Sequence, residues 1–206
     1  GTAALATGSD IAGSIRIPAA CSGVVGYKPP RGRTPGDPPL GLDPYLQNGP
    51  MARSVGDTAL LANLVSGPCP SDITTLPDRV TVAERYPPVA GMRVAYAPDL
   101  GLWPLDEAVR ANTDAAARLL AGLGAEVEPV EIGWGPEVPE AAMLHLVHVF
   151  GASVAPLLEH AAEALTPYGR AFAEAGAASR PADHLRAMAV AAGAYEAFSA
   201  AMAGFD

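Results

Sequence analysis

The spacing of apolar positions divides the chain into stretches of different period. Residues 92–97 read as a short buried strand. Beyond them Val109, Ala116, Leu119, Leu120 and Leu123 share one face at helical spacing, with Asp106 as the capping residue and Gly124 as the stop. Residues 126–132 read as a second strand. Strand, helix and strand at these intervals predict a βαβ unit, with parallel strands and a right-handed crossover. From Pro139 onward the pattern is helical and Ala-rich, and Pro156, Pro167 and Pro181 divide it into about three helices. Leu185, Met188, Ala192, Tyr195 and Met202 keep three-to-four spacing along the last of them.

The earlier part of the chain is less periodic. Residues 5–7 read as the end of a buried strand feeding a Gly- and Ser-rich turn at 8–14, and residues 23–27 as a second short strand. Residues 29–50 hold many prolines and glycines and read as a loop. A helix is predicted from Ser54, where Ser54 and Asp57 have capping-box spacing, with each side chain serving the other's backbone N–H. Leu60, Leu61, Leu64 and Val65 form its apolar stripe, and Gly67 and Pro68 end it. Residues 68–90 are a Pro-rich connection, and the chain stops at Phe205-Asp206 with no turn or capping residue.

Composition narrows the function classes. Half of the 206 residues are apolar and 17% are charged, which fits a soluble globular protein. No apolar run reaches the length of a bilayer span, so no membrane partner is expected. The net charge of −9 repels phosphate backbones, and Arg16, Lys28, Arg31 and Arg33 are too sparse to form a nucleic-acid patch. Cys21 and Cys69 are expected to be free thiols in a reducing cytoplasm, with Cys21 packed in the core. There is no CxxC or HExxH pattern, and His145 and His148 lack an evident third ligand, so no metal is expected.

The residues around Ser14 carry the chemistry. A serine hydroxyl becomes a useful nucleophile only when a base takes its proton. Ser14 follows Ala12 and Gly13 just after a predicted strand, and such small residues let backbone N–H groups converge on one point. Converging N–H groups can hold the oxyanion of a tetrahedral intermediate. The same composition also suits a turn serine bonded to its own backbone.

The run Gly8-x-Asp10-x-Ala12-Gly13-Ser14-Ile15-Arg16-x-Pro18-Ala19 resembles the serine end of the amidase signature, the hallmark of a family of serine-dependent amide hydrolases. Two further stretches resemble that family at the right intervals: Gly23-Val24-Val25-Gly26-Tyr27-Lys28-Pro29, and Gly49-Pro50-Met51-Ala52-Arg53-Ser54-Val55-x-Asp57. The resemblance is closest over residues 1–75, looser over 91–132, and thin over the helical remainder at 138–206. It implies an α/β fold with a mixed β-sheet core flanked by helices, incomplete in this chain, so that residues 1–206 form a partial amidase domain.

The resemblance also implies roles. Ser14 matches the acyl-accepting nucleophile, and Ile11, Ala12 and Gly13 match the stretch whose backbone N–H groups form the oxyanion hole. Many members have Thr at the position of Ile11. Asp10 and Arg16 match charged positions flanking the serine, as site-positioning groups or as a structural ion pair. The family's lysine base and bridging serine lie upstream of this motif, in a segment this chain does not contain. Lys28, the only lysine here, matches a structural position of the family instead. The expected parent reaction is hydrolysis of a small-molecule amide to an acid and ammonia or an amine, without a cofactor, in the cytoplasm. The chain alone, an amidase cut at both ends, is expected to be inactive. Its exposed cut edges are expected to favour homo-oligomers. A runner-up is the ammonia-releasing component of a tRNA-dependent amidotransferase, whose members tend to have Gln where this chain has Ile17; Ile17 and the prolines of residues 34–44 favour a general amidase. A non-catalytic, scaffold-like relative is the third reading.

Overall fold

The computed structural model of the chain describes residues 3–83 and 85–206. Its backbone forms two units, one ending at Tyr86 and one beginning at Pro87, each with its own sheet. The first unit runs through β1 (Leu5–Asp10), α1 (Arg16–Ser22), β2 (Val25–Gly26), β3 (Gln47–Ala52) and α2 (Val55–Val65). Its three strands lie in the order β1-β3-β2, all antiparallel, with Gly8 opposite Gly49 and Gly26 opposite Met51.

β3, the most buried of the three, lies at the end of the stretch that reads as loop from sequence. Gly49 and Pro50 explain the difference. Proline has no N–H for the ladder and is normally an edge residue. Here the Pro50 carbonyl still accepts the Tyr27 N–H at 3.0 Å, so the strand is central in spite of it. β1 departs from expectation in the other direction. It is longer than the sequence suggests and mostly exposed, with Asp10 its one fully buried residue.

Glycines let α1 lie flush on this sheet. A Cβ at Gly49 would sit 2.2 Å from the Tyr27 carbonyl oxygen and 3.1 Å from Ile15 Cδ1, and one at Gly26 would sit 2.6 Å from Ala19 Cβ. Ile15 and Ala19 fill the space so left and are almost wholly buried. Burial of an isoleucine of this kind contributes roughly 1.5–3 kcal/mol. Cys21, on the opposite face of α1, is exposed, contrary to its expected place in the core.

The second unit opens with β4 (Arg93–Tyr96), α3 (Glu107–Gly122) and β5 (Glu126–Pro129). β4 and β5 pair in parallel, Arg93 opposite Glu126, as the βαβ reading predicts. Asp106 caps α3 by accepting the Ala108 N–H. The helices that follow are α4 (Glu137–Leu146), a π-helical turn at Val147–Gly151, α5 (Ala152–Val154), α6 (Leu157–His160), α7 (Pro167–Ala177) and α8 (Pro181–Ala201). Pro156 immediately precedes α6, and Pro167 and Pro181 open α7 and α8, positions where a missing N–H costs nothing. Pro139 instead lies within the first turn of α4. α4 packs on α8, and α7 on the π-helical turn and α5. The latter contact is backbone to backbone: a Cβ on Gly176 would lie 2.0 Å from the Gly151 carbonyl carbon. The chain end is docked, not loose. Asp206 donates its N–H to the Arg93 carbonyl and accepts the Arg93 N–H, both at 3.0 Å, while the Arg93 guanidinium covers the Phe205 ring.

The predicted stripes of three helices lie largely exposed. Leu60 and Leu64 on α2, Val109, Leu119 and Leu123 on α3, and Leu185, Met188 and Tyr195 on α8 are all about half exposed or more. The residues packed inward are small: Thr58, Ala59 and Ala62 on α2, and Ala187 on α8. The capping box of α2 is also modified. Ser54 Oγ accepts the Asp57 N–H, but the Asp57 carboxylate accepts a hydrogen bond from the Ser54 hydroxyl in return and not from its backbone N–H. The helical run Glu137–His160 spans 24 residues and contains an 18-residue window of mean hydropathy 1.7, long and apolar enough to cross a bilayer by length and composition alone.

Candidate active site

The turn that carries Ser14 is built around one carboxylate. β1 delivers Asp10 to the α1 side of the sheet, where its side chain is fully buried. Its Oδ1 accepts the Gly13 N–H at 2.6 Å, and its Oδ2 accepts the N–H groups of Ile15 at 3.2 Å and Arg16 at 3.3 Å. The Arg16 guanidinium closes on both oxygens, Nε at 2.9 Å and Nη2 at 3.0 Å. Lys28 Nζ lies 3.4 Å from Oδ1 and donates to the Ile11 carbonyl at 3.2 Å. Residues 11–16 are thus wrapped on an anion that the chain itself provides.

Each step of the turn has a local cause. Gly13 has φ +127°, and a Cβ there would meet Ile17 Cδ1 at 2.6 Å, so only glycine fits. Ile15 plugs the glycine-lined seat in the sheet, and α1 starts at Arg16. Ser14, between a buried glycine and a buried isoleucine, is left exposed at the tip.

The electrostatics follow from these contacts. Burial pushes the Asp10 carboxyl up, but the hydrogen bonds from the Arg16 side chain and the Gly13 and Arg16 N–H groups, with the Lys28 charge, outweigh it. The carboxyl is held well below the ordinary carboxylate range. Arg16 is raised by the same bond to Asp10. Burial lowers the Lys28 ammonium below the usual lysine value, against the pull of Asp10.

The structure brings together all the sequence-predicted site residues in this one turn, but it divides the backbone donors. The Gly13 N–H is committed to Asp10. Among the described residues, no group accepts the N–H of Ile11 or Ala12. Lys28 is the partner that motif reading alone leaves outside the site. Elsewhere, His145 and His148 meet a third histidine, His184 of α8, at ring-centroid distances of 5.2 and 4.4 Å. The His148 and His184 rings are stacked, and His148 Nδ1 shares a hydrogen bond with Ser179 at 2.8 Å. Among the described residues no group of His, Cys, Asp and Glu side chains is arranged to hold a metal ion.

A buried Asp10, paired with Arg16, folds the Gly-Ser turn onto a glycine-lined sheet, and the family profile described as Amidase matches residues 1–193. The chain belongs to the amidase family. This amidase chain is 38% identical over 138 residues to an acylamidase from Rhodococcus erythropolis, covering 66% of the chain and 29% of that protein. It is 37% identical over 134 residues to a subunit of the glutamyl-tRNA(Gln) amidotransferase of Thermotoga maritima, covering 64% and 28%. Among solved structures it superposes on a bacterial aryl acylamidase of the amidase signature family with a TM-score of 0.84 at 26% identity, covering 98% of this chain and 44% of that one. The solved structure of the Thermotoga amidotransferase component gives a TM-score of 0.67 at 26% identity, covering 98% and 45%. The amidase chain therefore spans less than a third of the length of these curated relatives and under half of the solved chains.

Proposed function

We propose that the whole protein hydrolyses an amide through an acyl-enzyme on Ser14. The observation that carries this reading is the exposed Ser14 at the tip of a turn fixed by Asp10, in a chain of the amidase family. Ser14 Oγ attacks the amide carbonyl carbon and loses its proton to a base. The C–N bond breaks, the leaving nitrogen departs protonated as ammonia or an amine, and water hydrolyses the ester to a carboxylic acid. The backbone N–H groups of Ile11 and Ala12 are the donors available to the developing oxyanion, while Gly13 supports the turn. Asp10 and Arg16 hold the geometry and take no proton. No cofactor enters this scheme, and its base, in this reading a lysine acting through a bridging serine, lies outside these residues.

Similarity to the acylamidase and to the amidotransferase component is level, at 38% and 37% identity. We favour a general amidase because Ile17, an exposed residue beside the site, stands where the other branch tends to have Gln. An amide panel assayed with the full-length protein tests both readings. Turnover of aryl or alkyl amides, abolished by Ser14→Ala, together with a stable phosphonyl adduct on Ser14 after fluorophosphonate treatment, is the expected result. Activity that survives Ser14→Ala would overturn the nucleophile assignment, and turnover restricted to glutamine would move the protein to the other branch. The 206 residues alone are expected to be slower than the full-length protein by on the order of 10⁴–10⁶, the usual cost of lacking the activating base.

A further inference from the structure

We propose that Lys28 is a positioning residue: by gripping the Ile11 carbonyl it aims the Ala12 N–H at the oxyanion formed on a substrate of Ser14. This rests on the reading of Ser14 as the nucleophile.

One peptide unit links the lysine to the oxyanion. The Ile11–Ala12 peptide is planar and trans, so its carbonyl and its N–H point in opposite directions. Lys28 Nζ donates to that carbonyl at 3.2 Å. The same ammonium lies 3.4 Å from Asp10 Oδ1, which in turn accepts the Gly13 N–H at 2.6 Å. Both flanks of the peptide are therefore tied to one charged pair, and the Ala12 N–H faces away from it. Among the described residues nothing accepts that N–H, and Ala12 is exposed. A hydrogen-bond donor held rigidly outward, two residues before the exposed serine, is what an oxyanion requires. Lys28 is itself held: its side chain is only 19% exposed, and it follows β2, whose neighbour Tyr27 donates its N–H to the central strand. Without the ammonium, a rotation of the Ile11–Ala12 peptide meets no opposing bond at its carbonyl, and the N–H is lost from the site for part of the time.

The other function open to a partly buried lysine is proton transfer, and the experiment separates the two. In the full-length enzyme, Lys28→Met is expected to lower kcat about 10²-fold, the scale of one oxyanion donor, with KM within a few-fold of the parent. Affinity for a trifluoromethyl ketone, which forms a tetrahedral oxyanion on the serine, falls by the same factor, and the pH–kcat profile keeps its midpoints. Lys28→Arg, which retains a donor of similar reach, recovers most of both quantities. If only the arginine variant folds, the proposal still requires its kcat and ketone affinity to move together. An unchanged kcat, a kcat that falls while ketone affinity stays, or the loss of a limb of the pH profile each overturns it, the last by making Lys28 the base. Retained activity in Ser14→Ala would instead sink the underlying nucleophile reading, so the two failures are distinguishable.

Discussion

At Asp10 a single side chain performs three tasks: it ends β1, neutralises Arg16 and Lys28 in part, and takes three backbone N–H groups of the turn. Asp10→Asn keeps the shape and removes the charge, leaving two cations around a neutral amide. The expected loss is about 3 kcal/mol, the low end for breaking a buried ion pair because Arg16 is half exposed. The pH dependence follows from the direction of the shift. The Asp10 carboxyl sits lower in the folded protein than in the unfolded chain, where it titrates near the ordinary aspartate value of 3.8. Its stabilisation is therefore complete at neutral pH, begins to fade as pH falls through the unfolded value, and is lost below the folded one. Urea titrations between neutral and acid pH should show a shallower acid decline for Asp10→Asn than for the parent; parallel curves would refute the linkage. The site was legible in sequence because its residues are contiguous. The motif named Asp10, Arg16 and Ser14 together, whereas the division of N–H groups between Asp10 and the exterior depends on φ angles, chiefly that of Gly13, which no residue pattern reveals.

The helices and strands were legible where period and capping agree. The βαβ stretch has both, so its strands, its Asp106 cap and its parallel pairing were all readable. β3 was not, because Gly49 and Pro50 are loop residues by propensity, and only the close seat for Ile15 makes them strand residues here. The helix stripes were found at the right positions but given the wrong side. Large apolar residues announce a stripe, yet α2 and α8 pack through alanines that let neighbouring backbones approach. The same logic reaches its limit where α7 crosses the π-helical turn at Gly151 and Gly176. Gly176→Ala should cost at least about 1–3 kcal/mol by overpacking, read as a fall in Tm of the full-length protein. Gly193→Ala on α8 is the control: nothing lies within 4 Å of its Cβ position, and removal of a mid-helix glycine there should raise stability by roughly 0.5–1 kcal/mol. Equal effects at the two positions would show that helix propensity, not the close crossing, governs both.

For the molecule as a whole, the outward apolar residues are the informative feature. Leu60 and Leu64 of α2, Val109 and Leu119 of α3, and Leu185, Met188 and Tyr195 of α8 are all about half exposed or more, a concentration of apolar surface that favours association. Produced by themselves, these 206 residues are expected to associate, and light scattering should give a mass above 20.9 kDa that rises with concentration. A single monomeric species would show that those faces need no cover. Within these residues Lys28 is the only side-chain primary amine, and it is clamped beneath the Ser14 turn, four-fifths hidden from solvent. Acylating labels and amine cross-linkers therefore find no fully exposed lysine on this surface, and their slow reaction at Lys28 reads out how tightly the turn holds it.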